Sequence, residues 1–165
     1  MAIRNIRVIG DEILTKKAKE VKEMTPRMHT LVEDMYDTMY EAMGVGLAAP
    51  QVGILKRIFV VDCGDEEGNS VPYVFINPEI IDREGVQTGY EGCLSVPGKS
   101  GMVPRAQKVK VKAFNENMEE FEMEAEGLLA RCILHENDHL DGIVYVDKVE
   151  GKLYDNSELY PEEEQ

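Results

Sequence analysis

The chain has 165 residues, a formal net charge of −14 and 43% hydrophobic content. That is enough apolar material for one globular domain, placed at residues 1–154, with residues 155–165 expected to form an acidic, flexible tail. The charge argues against nucleic acid as a direct partner, which is bound through clustered Lys and Arg, and no run of about 18 apolar residues is present to cross a membrane. The start, Met1-Ala-Ile-Arg-Asn-Ile-Arg7, lacks the apolar stretch of a signal peptide, so a cytoplasmic location is expected. Cys63, Cys93 and Cys132 are odd in number and scattered, which fits a reducing compartment.

In chain order, an alternating segment and a Gly10-Asp11 turn precede a short helix expected over residues 12–19, with no assigned chemistry. Thr25 and Pro26 open a stronger helix, Thr25 as N-cap and Pro26 in the first turn. Met28, Leu31, Val32, Met35, Met39, Ala42 and Met43 line one face, and Gly44 ends it. The methionine stripe is read as core filling rather than a binding surface. His29 lies off that face as an exposed bystander.

Gly44-Val-Gly-Leu-Ala-Ala-Pro-Gln51 fits neither a good helix nor an ordinary turn, but its small residues let another backbone come close. It lacks the ending of a phosphate-binding P-loop, and Gln51 is its one side chain able to donate a directed hydrogen bond. Strands are expected at residues 57–62 and 73–76, the latter closed by Asn77-Pro78, and again at 79–84, with a polar hairpin loop at 65–69. Residues 108–114 alternate strictly, and 115–117 turn them into a partner at 120–125. Without a regular βαβ alternation, the expected fold class is α+β with largely antiparallel sheets.

The helical stretch 126–142 carries His135-Glu-Asn-Asp-His139. Residues four apart on a helix are offset by only about 40°, so both imidazoles can face one metal ion, with Glu136 beside it as a general base. Leu128, Leu129, Cys132, Ile133 and Leu140 recur at helical spacing, and Gly142 is a natural stop. Three cysteines compete for a third ligand position. Cys63 sits at a strand end and Cys132 on the helix itself. Cys93, in the irregular Glu91-Gly-Cys-Leu-Ser95 stretch, is preferred, though pattern alone leaves the choice open.

Taken together, Gly44-Val-Gly-Leu-Ala-Ala-Pro-Gln51, Glu91-Gly-Cys-Leu-Ser95 and His135-Glu-Asn-Asp-His139-Leu, in this order, resemble the peptide deformylases, in particular the short bacterial type. The resemblance runs from the first residues through Val103-Pro-Arg-Ala to Asp141-Gly142. It implies antiparallel sheets around a central metal-binding helix, with the N-terminal helix packed outside. It also implies that Cys93, His135 and His139 hold Fe²⁺, with Zn²⁺, Ni²⁺ or Co²⁺ as substitutes, and that water fills the fourth position. Glu136 would activate that water for attack on the formyl carbon of N-formylmethionyl peptides and nascent chains. The Gln51 amide and the Leu94 N–H would donate to the formyl oxygen. Val45 and Gly46 would meet the peptide, and Leu128, Arg131 through its stem, Cys132, Val45 and His135 would surround the methionine side chain. Glu91 and Gly92 border the same site, and Glu91 would pair with Arg105 to brace the cysteine loop.

Three departures from the family pattern stand out. Leu134 occupies the usual glutamine position before the first histidine. Ser100 replaces an arginine near the substrate entrance. The acidic C-terminus lacks the basic helix with which some members dock on the ribosome, so docking by that route is not expected. A general metallopeptidase is the alternative enzyme, but the extended protease motif wants a further histidine where this chain has Tyr145. A silent binder of peptide N-termini would not need both Glu136 and Gln51.

Overall fold

The computed structural model describes residues 2–159. Helix α1 (Pro26–Glu41) starts as expected: the Thr25 hydroxyl accepts from the Met28 N–H at 3.3 Å, and Pro26 fills the first turn. Leu31, Val32, Met35 and Met39 are buried, so the methionine stripe is core. Ala42 caps the helix two residues before Gly44, and Met43, in the left-handed region at φ 57°, is 92% exposed rather than part of that face. The helix expected over residues 12–19 is only a 3-10 turn, Glu12–Thr15, capped by Asp11, after which the chain runs extended toward α1.

Five strands form an antiparallel sheet in the order β1 (Gly46–Ala48), β2 (Ile58–Asp62), β3 (Pro72–Glu84), β6 (Lys108–Phe114) and β7 (Glu120–Glu126). All five residues of β2 are buried. Phe59 and Val61 pack with the helix α2 (Gly127–Leu140), whereas Ile58 and Val60 pack with α1. Burial on both faces is why this strand reads as an apolar run without alternation. The two strands expected on either side of Asn77-Pro78 are one, bent by a register shift between Ile76 and Glu79, with Asn77 at φ 51°. The Asn77 side chain accepts from the Val21 N–H and donates to the Val21 carbonyl, both at 2.8 Å, tying the extended N-terminal segment to the bend. The hairpin of β6 and β7 is the one the alternation predicts.

The second sheet, in the order β4 (Gln87–Cys93), β5 (Val96–Arg105) and β8 (Glu150–Asp155), is also antiparallel. The stretch around Cys93 is therefore a β-hairpin with Leu94 and Ser95 at its turn, not an irregular loop. Its glycines and prolines mask the strand signal, yet some are needed: a Cβ on Gly101 would stand 2.6 Å from the Val149 side chain. Residues 156–159 form the short helix α3, and Ser100 bonds Asn156 at 2.6 Å, so the chain from Asp155 to Leu159 is regular and held; the rest of the expected tail lies outside the described residues.

Helix α2 lies between the two sheets. One side packs on β1, β2 and β7. On the other, Arg131 donates to the Val103 carbonyl at 2.9 Å and Arg105 to Asp138 at 2.6 Å. Its C-terminus is closed by Arg57, which donates to the Leu140 carbonyl and the Asp141 carboxylate, each at 2.9 Å. Gly142 then turns at φ 77°, where a Cβ would come within 2.5 Å of the Thr15 carbonyl. The class is α+β, with the helix of the histidines central and α1 on the far face of the larger sheet. The N-terminal segment links the turn after β1 to the tip of the β4–β5 hairpin: the Arg7 N–H donates to the Gln51 carbonyl at 2.7 Å and the Ile9 N–H to the Ser95 carbonyl at 2.8 Å. Among the described residues no helix is long and apolar enough to cross a membrane.

Candidate metal centre and cleft

The helical spacing of four brings His135 and His139 to one side of α2, their rings 5.1 Å apart. The β4–β5 hairpin delivers Cys93 to the same point, with Sγ 3.4 Å from His139 Nε2. The donor atoms of Cys93, His135 and His139 all lie within 4.8 Å of one another. Neither Cys63 nor Cys132 joins them. One sulfur and two imidazoles suit a divalent cation and leave a position open for chemistry. The orientation also fits: Glu91 bonds His135 Nδ1 at 2.8 Å, leaving Nε2 to face the cluster.

Glu91 does more than pair with Arg105. Buried at 6% exposure, it takes two hydrogen bonds from Arg105, at 2.8 and 2.9 Å, one from Arg131 at 2.7 Å and the His135 bond. Arg105 in turn reaches Asp138, three residues past the first histidine, so one ionic network runs from the hairpin to the helix. Burial by itself raises the Glu91 pKa, but the hydrogen bonds from Arg105 and His135 outweigh it and hold it at about 2, against 4.5 ordinarily. The folded value lies below the unfolded one, so this stabilisation is complete above about pH 4.5 and is lost as pH falls toward 2. It amounts to about 3 kcal/mol. Acid unfolding followed by circular dichroism should steepen in this window, and Glu91→Gln should remove that steepening; equal acid sensitivity in the two proteins would discount the network.

Glu136 is buried beside the cluster, with Oε2 3.9 Å from His135 Nε2 and Oε1 without a hydrogen-bond partner among the described residues. Burial raises its pKa to about 7, against the opposing pull of His135. For His135, burial lowers proton affinity, but Glu136, Cys93 and Glu91 reverse this and lift it to about 10; a cation must displace that proton. Burial and the neighbouring positive groups of His135 and Arg105 push His139 well below 6.5. Tyr145, at the place of the protease motif's third histidine, instead stacks on the His135 ring with centroids 5.9 Å apart.

Gln51 follows β1 in a 3-10 turn and is 1% exposed. Its Oε1 accepts from the Ala48 N–H at 2.9 Å, and its Nε2 donates to Ser95 at 3.0 Å and contacts Cys93 Sγ at 3.5 Å. Gly44 and Gly46 admit the neighbouring Leu94 and Glu136 side chains: a Cβ would fall 2.7 Å from Leu94 Cδ1 at the first and 2.6 Å from Glu136 Oε2 at the second. Gly46→Ala should leave the fold intact yet displace the carboxylate, cutting turnover by about 10-fold or more, as overpacking costs of about 1–3 kcal/mol suggest. Unchanged kcat beside an unchanged melting temperature would mean that the carboxylate has room to spare.

A cleft of about 500 Å³ opens over the cluster. Val45, Gly46, Gln51, Glu91, Gly92, Cys93, Leu94, Leu128, Arg131, Cys132, His135 and Glu136 all line it, so of the site residues expected from sequence only His139 lies beneath. Leu128 and Val45 stand exposed at its rim, at 55% and 45%. Arg131 presents its stem, since its guanidinium is engaged by Glu91 and the Val103 carbonyl. Sequence reasoning missed Ser95, Lys99 and Asn156. Ser95, the partner of Gln51, lies inside a quoted motif, whereas Lys99 reaches the cleft on the unpredicted strand β5 and Asn156 directly after β8, which pairs with it.

The sequence profile of the polypeptide deformylases matches residues 3–153. A peptide deformylase of Lachnoclostridium phytofermentans is 58% identical over 165 residues, covering 100% of each chain. The crystal structure of the peptide deformylase from Thermotoga maritima superposes with a TM-score of 0.87 at 41% identity, over 92% of this chain and 100% of that one. The Ehrlichia chaffeensis peptide deformylase, solved in complex with actinonin, gives a TM-score of 0.87 at 39% identity, over 91% and 90% of the two chains. A donor cluster fit for a cation, a buried carboxylate beside it and full-length similarity agree: the chain belongs to the polypeptide deformylase family.

Proposed function

We propose that the chain hydrolyses the formyl group from N-formylmethionine at the start of newly made polypeptides, releasing formate. The observation that carries this reading is Glu136, a buried carboxylate with a free oxygen beside three clustered donors at the floor of an open cleft. Cys93, His135 and His139 hold the cation, Fe²⁺ by the family resemblance, with Zn²⁺, Ni²⁺ or Co²⁺ able to replace it. That ion supplies Lewis acidity, lowering the pKa of a water and polarising a carbonyl.

The protein's own groups do the rest. Glu136 accepts the proton of the attacking water and, with a pKa near 7, returns it to the departing amine. Gln51 trades its long contact with Cys93 for the formyl oxygen, and the Leu94 N–H at the hairpin turn joins it, where negative charge develops. The peptide lies extended against Val45 and Gly46, because β1 and β4 are each the open edge of their sheet and face the same cleft. Its methionine side chain meets Val45, Leu128, Cys132 and the Arg131 stem, and Glu91 and Gly92 bound the opposite side. Actinonin, the ligand of the Ehrlichia chaffeensis relative, is a candidate occupant of this cleft.

The test is formate release from N-formyl-Met-Ala-Ser by protein prepared without oxygen and loaded with Fe²⁺. Release should be rapid, vanish with a chelator and return with Fe²⁺. Silence from demonstrably loaded protein would overturn the reading in favour of a binder of peptide N-termini.

A further inference from the structure

Two of the three free cysteines meet behind the cleft. Cys63 directly follows β2 and Cys132 sits on α2, yet their sulfurs are 3.3 Å apart and share a hydrogen bond. Cys93, by contrast, is committed to the donor cluster. Cys132 lines the cleft, whereas Cys63 is half-buried outside it, next to Gly64 at φ 68° and the polar loop that joins β2 to β3.

We propose that Cys63 and Cys132 form a peroxide-responsive pair that closes reversibly to a disulfide, drawing the Cys132 sulfur out of the cleft wall and weakening binding of the substrate's methionine. The effect on binding rests on the proposed function; the cross-link does not.

Closure from 3.3 Å to bonding distance takes about 1 Å of combined sulfur movement, within reach of small side-chain rotations. The order of events follows from exposure. The Cys63 thiolate attacks hydrogen peroxide, so an S–O bond forms, the O–O bond breaks and the released hydroxide takes up a proton as water. The Cys132 sulfur then attacks the sulfenic sulfur of Cys63; the S–S bond forms and the hydroxyl leaves as water with the proton given up by Cys132. Two thiols and one peroxide yield one disulfide and two waters. The shared hydrogen bond favours this assignment, lowering the pKa of Cys63 and raising that of Cys132. A thiol reduces the bond again.

The test uses the full chain loaded with Ni²⁺, which dilute peroxide does not oxidise as it does Fe²⁺. After treatment, non-reducing peptide mapping should recover Cys63 linked to Cys132, with Cys93 outside the link. The KM for N-formyl-Met-Ala-Ser should rise several-fold with kcat largely kept, and dithiothreitol should restore it. Cys63→Ser, or Cys63→Ala where serine disturbs packing, should match the untreated parent in turnover and show no recoverable change in KM. Oxidation without the linked peptide would overturn the pair. A linked peptide with unchanged KM would overturn its effect on binding. No formate release from the untreated, loaded parent would instead reject the proposed function, leaving the cross-link to be judged by mapping alone.

Discussion

Glu136→Ala is expected to release formate from N-formyl-Met-Ala-Ser about 10²–10⁴ times more slowly than the parent, the usual contribution of a positioned general base. The fall should be in kcat, with KM little changed, because Glu136 lies at the cleft floor beside the donor cluster rather than among the apolar residues at the rim. Stability should hold or rise, because the variant removes a buried carboxylate whose Oε1 has no partner. Metal content, read by elemental analysis, should be that of the parent, since the proposed ligands are Cys93, His135 and His139. A variant that keeps its metal and still turns over within a few-fold of the parent would remove Glu136 from the chemistry.

Glu91→Ala should cost more in stability than any other single change at the site. The carboxylate is the one acceptor shared by Arg105, Arg131 and His135, and its loss leaves Arg105 with Asp138 alone and Arg131 with backbone carbonyls but no carboxylate. Breaking a buried ionic network costs about 3–5 kcal/mol. For a domain of this size that is a melting temperature lower by about 10 °C or more. Metal affinity should fall with it, because the Glu91 bond to Nδ1 is what fixes the tautomer of His135 and leaves Nε2 facing the cluster. Thermal unfolding and metal titration of the same preparation check both. A near-neutral change would show that water replaces the carboxylate, and would confine Glu91 to a local brace of Arg105.

What the sequence made legible follows the range of the interactions involved. Helix α1 and the β6–β7 hairpin were readable because cap, periodicity and turn lie within one short stretch. The His135/His139 pair was readable because helical spacing is local geometry. Cys93 needed the family resemblance, since residues alone gave no reason to bring it across to α2. The full set of Glu91 partners was not readable at all: Arg131 and His135 are 40 and 44 residues away, and nothing near Glu91 signals them. The β4–β5 hairpin hid behind its own glycines and prolines, whose backbone closeness to Val149 and Arg131 appears only in the folded chain. Strand β8, with only Leu153 and Tyr154 as large apolar residues, acquires its identity from β5.

Residues 2–9 put no side chain into the cleft, yet they act as a splint beside it. Gln51 sits in the turn that follows β1 and Ser95 at the tip of the β4–β5 hairpin, on sheets that share no strand, and the backbone N–H groups of Arg7 and Ile9 donate to both carbonyls. The spacing between the amide of Gln51 and the sulfur of Cys93 is thereby gauged by a segment that never meets the substrate. The working distance of the site is thus held in part by this extended segment, a third tie beside the direct Gln51–Ser95 hydrogen bond and the seating of α2 between the two sheets.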